Sequence, residues 1–268
     1  DWVWDTFFYY LNVFNIFLLT NVLGPMKQAY LNMPVVSTFV LFMGAGYIIG
    51  GIRSCLIVGS LILFIALSEY WDRTLITLYM ATFAVGVSAF SGIIVGSLCS
   101  QNDFSSKTIL SICDFFQTFP SFIYLIPVIL LFGITDTSVM IAAIVYASVP
   151  ATRYTVEGLR SVPSSLHDAG SMSGVSKIQR WRLIDLPLAL PHIMLGINQT
   201  VIFALMMIVL GALIGTEDLG QLIMGSLSRP NGAGTGFTLG IFISFICLAV
   251  DNLIRTWADE RKKILGIN

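Results

Sequence analysis

One polar stretch stands out in an otherwise apolar sequence, because its side chains could bind a partner. It is Leu166-His167-Asp168-Ala169-Gly170-Ser171-Met172-Ser173-Gly174. Pro163 followed by Ser164 and Ser165 favours the start of a helix, and Gly174 is typical of a left-handed helix stop. Ser176 can then cap a second short helix. The sequence predicts a helix, a tight glycine turn and a second helix, here called the elbow (residues 160–187). It is either a docking surface for a partner or a solvated loop whose charges fix the topology.

Enzymatic chemistry is not indicated anywhere in the chain. No combination of nucleophile, base and oxyanion donor is recognisable. The phosphate-binding loop of ATPases contains a lysine directly after a glycine. No lysine in this sequence follows a glycine, so that loop is absent from the sequence. The cysteines lack the paired spacing of metal sites or disulfide frameworks and are interpreted as packing residues. We therefore predict no catalytic site, no bound metal and no cofactor in this chain.

A second set of residues could line a pathway. Adjacent amides in an apolar run are costly against lipid, so they should face another helix or the pathway, and both alternatives stay open. Aromatic rings beside Pro120 could contact a cation through their faces, or they could simply pack. A methionine could form an adaptable pathway wall or belong to the core. The candidate pathway residues are Phe116, Phe119, Tyr124, Asn198, Gln199 and Met206.

Ionisable pairs near the ends of apolar runs are interpreted as structural. Arg153 with Glu157, and Asp251 with Arg255, are four residues apart and should share a helix face. Asp114 is expected to form a local cap or pair.

The composition places the chain in a bilayer. It is 56% apolar and 11% charged with a mean hydropathy of +0.85, whereas soluble proteins average about 25% charged residues. The N-terminal region, residues 1–34, is apolar but carries three asparagines, which favours a helix along the interface over one that crosses. Residues 35–268 are predicted to form an all-α polytopic membrane domain. About seven spans are predicted, at residues 35–52, 54–68, 75–99, 108–133, 137–152, 193–215 and 235–254.

Small residues indicate close helix packing. Gly-x-x-x-Gly pairs let helix backbones approach each other in lipid, and four such pairs suggest a compact bundle. They occur at Gly46/Gly50, Gly92/Gly96, Gly211/Gly215 and Gly236/Gly240.

The positions of lysine and arginine predict the orientation. Basic residues gather in the elbow and in the C-terminal tail, so both should be cytoplasmic. The turn near Asp136 and the connection of residues 215–235 should face outside.

The elbow resembles the coupling-helix signature of the membrane subunits of ATP-binding-cassette importers. The match rests on Asp168-Ala169-Gly170, Gly174 and Ile184-Asp185-Leu186-Pro187. The family usually has Glu where Asp168 stands and Ala where Gly170 stands. Further segments resemble the glycine betaine, proline and choline permeases, and they are residues 117–127, 186–191 and 196–200.

This resemblance implies a type I ABC importer fold in which the elbow binds a partner ATPase. The docking residues would be Ser164, Ser165, Leu166, His167, Asp168, Ala169, Gly170, Met172 and Gly174. It further implies a second permease copy, two ATP-binding subunits that hold the ATP and magnesium, an extracytoplasmic substrate-binding protein, the bacterial cytoplasmic membrane and no nucleic acid. The cargo would be a small methylated amine such as glycine betaine, choline, proline betaine or trimethylamine N-oxide. An ion-coupled secondary transporter of small zwitterions is the alternative.

Overall fold

The described part of the chain consists of helices joined by short turns. A computed structural model describes residues 2–265, and the side chains of residues 2–5, 167, 169–171 and 265 lie outside that description. No strand occurs among the described residues, as the sequence predicts. The helices are α1 (Trp2–Leu18), α2 (Gly24–Leu31), α3 (Val35–Ala66), α4 (Trp71–Cys99), α5 (Asp103–Thr118), α6 (Leu125–Phe132), α7 (Asp136–Arg160), α8 (Ser164–Met172), α9 (Lys177–Arg180), α10 (Leu186–Gly211), α11 (Leu219–Leu227) and α12 (Ala233–Leu265).

Helices α4, α7 and α10 form the centre of the bundle, and glycines set their spacing. A Cβ added to Gly92 would lie 2.5 Å from Cβ of Ala151, and one added to Gly96 would lie 2.7 Å from Cβ of Thr155. Gly211 on α10 approaches Val139 on α7 equally closely. Since lipid provides no hydrophobic force between helices, these close approaches are what hold the three helices together.

Not every predicted glycine pair is a packing pair. Gly215 has a φ of 91° and ends the turn after α10, with no atom within 4 Å of an added Cβ. Gly240 likewise has open space around it, whereas Gly236 packs against Ser226. Of the four pairs, Gly92/Gly96 is the clearest helix–helix contact.

Helix α3 is a folded-back hairpin rather than one straight rod. An added Cβ at Gly46 would lie 3.0 Å from Cα of Cys55, and one at Gly59 would lie 3.0 Å from Cγ of Met43. Met43 and Gly59 are 16 positions apart in the sequence, and on a straight helix this separation corresponds to about 24 Å. The reversal occurs at Gly50 and Gly51. The φ of Gly51 is 64°, a left-handed value that favours glycine. The predicted runs at residues 35–52 and 54–68 are therefore the two arms of this hairpin.

The candidate membrane-crossing segments of the described residues number six or seven, close to the expected seven, but the set differs: it includes Thr6–Leu31 and counts α3 once where two spans were predicted. Six helical segments are long and apolar enough to cross, and a seventh is obtained if α5 and the segment from Ser121 to Phe132 form one span. That segment bends by 103° near Pro120, where proline removes a helical hydrogen bond. Thr6–Leu31 is long enough to cross, so its placement along the interface stays a prediction.

The two ends of the bundle carry different groups. We call one end of the bundle the elbow end. Helices α4, α7 and α12 end there, and α10 begins there. This arrangement follows from α4 packing parallel to α7, and from α10 and α12 packing antiparallel, with Asn198 opposite Asp251. The opposite end, called the far end, contains Asp136 and residues 215–219. Both basic segments thus lie at one end, as the charge pattern requires, and the assignment of that end to the cytoplasm stays a prediction.

Candidate coupling and translocation sites

The elbow has the predicted helix–turn–helix geometry. Helix α8 runs from Ser164 to Met172, and Gly174 follows with a φ of 73°. Ser176 then caps α9: its hydroxyl accepts from the backbone N–H of Gln179, whose side chain accepts from the backbone N–H of Ser176. A π-helical turn, Trp181–Asp185, leads directly into α10. Local signals therefore fix this shape without help from the rest of the bundle.

The elbow exposes apolar side chains to water. Met172 is 91% exposed and Leu166 is 38% exposed, while Ser164, Ser165 and Asp168 are also exposed. The side chains of His167, Ala169 and Gly170 lie outside the described residues. Exposed apolar side chains rimmed by polar ones are typical of an interaction surface.

Aromatic rings form a continuous ladder across α5, the 3-10 turn Ser121–Tyr124, α7 and α10. The ring of Phe116 lies 6.2 Å from Tyr124, Tyr124 lies 5.3 Å from Tyr146, and Tyr146 stacks on Phe203 at 5.0 Å. The phenol of Tyr124 also donates to the carbonyl oxygen of Phe116. We call these four residues the aromatic ladder. The bend near Pro120 makes it possible, because it brings Tyr124 back toward α5.

The candidate pathway residues divide between the ladder and other contacts. Phe116 and Tyr124 belong to the ladder, whereas Phe119 packs against Phe115 at 4.9 Å. Gln199, which is half-buried, and Met206, which is 41% exposed, lie four residues before and three after Phe203, so they share its helix face.

Asn198 lies on another face of α10 and joins α10 to α12. Its Nδ2 donates to Oδ1 of Asp251 over 2.6 Å, and Nε of Arg255 donates to the same oxygen over 2.6 Å. The predicted Asp251–Arg255 pair is therefore present. For Asn198 the contact corresponds to the helix-packing alternative of the two that the sequence left open.

A charged cluster occupies the exposed face between α5 and α7. Arg153 forms an ion pair with Asp114 and lies 3.9 Å from Glu157. The Arg153–Glu157 pair was expected, but Asp114 pairs with α7 rather than locally on α5, a correction that only the packing of the two helices could supply. The Asp114 side chain is 66% exposed.

The far end is tied together by contacts between distant segments. Lys27 lies 3.2 Å from the carboxylate of Glu217 and 3.8 Å from that of Asp136. The phenol of Tyr79 donates to Asp136 over 2.9 Å, and Nη1 of Arg73 donates to the carbonyl oxygen of Glu217 over 2.7 Å. This far-end network joins the N-terminal helices, α4, α7 and the connection to α11.

Asp218 is the buried acid of this region. It has no exposed surface, and one carboxylate oxygen accepts from the backbone N–H of Gln221, so it caps α11. Burial raises its pKa from 3.8 to about 6. Sequence reasoning passed over Asp218, because only its position before the short helix α11 signalled a cap.

Aromatic residues of the ladder were also missed. Tyr146 and Phe203 stand singly in apolar runs and have no local signal. Their role depends on α7 and α10 being neighbours, which the tertiary structure decides.

Comparison with known proteins agrees with this geometry. Residues 88–263 match the family model of binding-protein-dependent transport system inner membrane components. One relative is the trimethylamine N-oxide transport system permease protein TmoV of Pelagibacter ubique. The identity is 62% over 267 residues, which cover essentially all of this chain. The chain is 40% identical over 92% of its length to TmoV of Ruegeria pomeroyi. It spans 37% of the length of each TmoV protein.

A relative of more similar length is the glycine betaine transport system permease protein OpuAB of Bacillus subtilis. The identity is 32% over 193 residues, which cover 72% of this chain and 68% of that protein. With its helical bundle and elbow, the chain has the type I ABC importer permease fold. The chain belongs to the family of binding-protein-dependent transport system inner membrane components.

Proposed function

We propose that the chain is the permease part of an ATP-driven importer for a small methylated amine, such as trimethylamine N-oxide or glycine betaine. The observation that carries this proposal is the exposed elbow, with Asp168, Gly174 and the Ile184–Pro187 segment at one end of the bundle. The alternative, an ion-coupled secondary transporter, is not retained, since the family takes substrate from binding proteins.

In this proposal the elbow docks into a partner ATPase on the cytoplasmic side. Helix α8 would fill a groove of that subunit, with Leu166 and Met172 as apolar anchors and Asp168 as a charged contact. The π-helical turn connects the elbow to α10 without a flexible linker. A movement of the elbow would therefore be transmitted directly to α10, whose Phe203 belongs to the aromatic ladder. ATP and magnesium would be held by that partner.

The aromatic ladder is the proposed contact for the cargo. A methylated nitrogen cannot donate a hydrogen bond, and aromatic faces attract its positive charge by about 0.5–2 kcal/mol each. Gln199, on the Phe203 face, could donate to the oxygen that trimethylamine N-oxide and betaines carry.

The face that carries Asp114 and Arg153 is the proposed wall of the pathway and contact with a second copy. Arg153 directly follows the predicted span of residues 137–152 and lies seven residues, about 10 Å, before the last residue of α7. Charges near the end of a span face water or another protein rather than lipid. A substrate-binding protein would dock at the far end.

Transport by the reconstituted importer tests the mechanism. With its ATPase and binding protein in liposomes, uptake of radiolabelled trimethylamine N-oxide should require internal MgATP and persist when ionophores dissipate the proton and sodium gradients. Asp168→Lys should reduce uptake and ATPase stimulation together, whereas Lys263→Glu in the C-terminal tail should not. Uptake without ATP that collapses with the ion gradients would contradict the proposal.

Substitutions in the ladder test the cargo contact separately. Tyr124→Leu and Phe203→Leu should each lower uptake several-fold, while ATPase activity without cargo is retained. Phe237→Leu is a matched control, because Phe237 is 74% exposed on α12. Unchanged uptake in both ladder variants would show that the cargo passes elsewhere.

A further inference from the structure

A cavity of about 720 Å³ lies at the elbow end, beside the proposed docking surface. The last turn of α4, the end of α7 and the returning arm of the elbow form its walls. Its lining includes Ser97, Leu98, Arg160, Lys177, Arg180 and Trp181.

The charged residues of this lining are three basic and one acidic. Arg160 is engaged by Asp103 and by the carbonyl oxygen of Ser100. Arg180 forms an ion pair with Asp185, the acidic residue of the lining, with 3.6 Å between Nε and the carboxylate oxygen. Lys177 has no carboxylate within ion-pair distance among the described residues.

Two buried polar atoms of lining residues have no hydrogen-bond partner in the described part of the chain. They are Oγ of Ser97 and Nε of Arg180. A buried donor without an acceptor destabilises the fold. Neither atom has accessible surface, so the groups that a ligand in the cavity can reach are the ammonium of Lys177 and the exposed part of the Arg180 side chain. A ligand with several acceptor oxygens and a negative charge, such as a phosphate group, would pair with both.

An exposed apolar stripe leads along α4 to the mouth of the cavity. Phe90, Ile94 and Leu98 are 71%, 43% and 62% exposed, and their spacing of four residues places them on one helix face. Ile178, at 79% exposed, adds an apolar side chain on the elbow side. A free phosphate ion would use the donors and leave this stripe uncovered. A phospholipid would use both, with its headgroup in the cavity and an acyl chain against α4.

We propose that this cavity binds the phosphate headgroup of an anionic glycerophospholipid from the leaflet at the elbow end. Lys177 and the exposed part of the Arg180 side chain pair with the phosphate. The α4 stripe binds an acyl chain. Trp181 lies at the level of the headgroups, where tryptophan is enriched. This proposal does not depend on the cargo or on ATP-driven transport, because it concerns lipid binding alone.

Lipid retention by the full-length protein in its assembled transporter tests the proposal. The purified complex is titrated with phosphatidylglycerol or phosphatidylcholine in detergent, and bound lipid per protomer is measured by native mass spectrometry. Phosphatidylglycerol should be retained preferentially. The double variant Lys177→Gln/Arg180→Gln should weaken it about tenfold or more, given about 1 kcal/mol for each basic residue. The control Lys262→Gln/Lys263→Gln removes the same charge from the C-terminal tail and should bind as the parent does.

Two further arms separate the possible ligands. Millimolar inorganic phosphate should not displace phosphatidylglycerol, and Leu98→Asn, which changes the stripe without altering charge, should weaken lipid retention but not phosphate binding. If inorganic phosphate competes fully and Leu98→Asn has no effect, the site binds free phosphate and the lipid proposal is overturned. Equal retention of the two lipids, or unchanged retention in the double variant, also overturns it. Should the double variant misfold, Lys177→Gln alone replaces it, with an expected loss of about fivefold.

Discussion

The far end of the bundle and the elbow are built in different ways. At the far end, side chains from segments far apart in sequence meet, as when Lys27 contacts Glu217 and Tyr79 contacts Asp136. At the elbow end, the hydrogen bonds that shape the turn are local, between Ser176 and Gln179, and apolar side chains such as Met172 remain exposed. The far end is thus held by the chain itself, whereas the elbow is a preformed surface without a covering layer.

In the proposed importer, this difference suits a permease that a partner ATPase drives from one side. A surface that must bind a partner should be stable in shape before the partner arrives, since ordering it on binding would cost affinity. The opposite end should keep its contacts while force is applied. Helices α4 and α7 connect the ends through their glycine contacts.

Gly92→Val should have the largest effect, because it separates the helices that join the two ends. The new side chain would overlap Cβ of Ala151 and lie 2.9 Å from the backbone nitrogen of Thr152. Overpacking of this kind costs about 3 kcal/mol or more when backbone must move. The thermal unfolding midpoint in detergent should fall strongly. Gly86→Val on the same helix is the control, because no atom lies within 4 Å of its Cβ, and equal midpoints would contradict the packing described here.

Asp218→Asn should stabilise the far end in a pH-dependent manner. Because burial raises the pKa of Asp218 from 3.8 to about 6, the unfolded chain loses this proton at lower pH than the folded chain. Folding stability therefore falls as the pH rises from 3.8 to about 6, and the cost is complete above that value, at most about 3 kcal/mol. Asparagine keeps the acceptor for Gln221 and removes the charge.

The thermal unfolding midpoints of Asp218→Asn and of the parent protein are measured over a range of pH, and their difference is compared. That difference should grow with pH and level off above about pH 6. Glu217→Gln, at an exposed neighbouring carboxylate, should show no such growth. A difference that is constant over this pH range would contradict the raised pKa of the buried Asp218.

Gly174→Val should affect coupling more than stability. A β-branched residue at a φ of 73° costs about 1–2 kcal/mol locally, so the elbow would change shape. Since no atom lies within 4 Å of an added Cβ, the bundle should unfold at nearly the parent temperature. Uptake per ATP hydrolysed should drop in the reconstituted importer. Gly174→Asn should retain most coupling, because asparagine tolerates this conformation, and full coupling in Gly174→Val would argue against a rigid elbow.

Lys27→Met should have the smallest effect. Its two ion pairs are partly exposed, and such pairs contribute about 0–1 kcal/mol. The thermal unfolding midpoint should fall slightly, and this decrease should become smaller as salt is added. Lys263→Met, at an exposed position of α12, should leave it unchanged. A large, salt-independent fall would show that Lys27 stabilises the far end by packing rather than by charge.

The elbow could be read from the sequence because its determinants are neighbours. Pro163, Gly174 and Ser176 act on the backbone within a few residues of themselves, and the helices end and begin where these residues require. The membrane class and the gathering of basic residues at one end were predictable for a similar reason, since the bilayer acts on composition and local charge.

The hairpin of α3 was predictable only in part. The sequence contains two apolar runs, but the break between them could be a kink or a reversal. The contact between Gly46 and Cys55 establishes the reversal, and it depends on both glycines of the turn and on packing against α12.

What the sequence determined by itself is the membrane environment, the helical content, the elbow and its orientation relative to the basic tail, because each follows from periodicity, capping or composition within a short stretch. Only the tertiary structure decided that Asp114 pairs with Arg153, that Asn198 meets Asp251, that Tyr146 and Phe203 complete the aromatic ladder, and that Asp218 is buried. These contacts join residues on different helices, and the choice of neighbouring helices depends on how all their surfaces fit together.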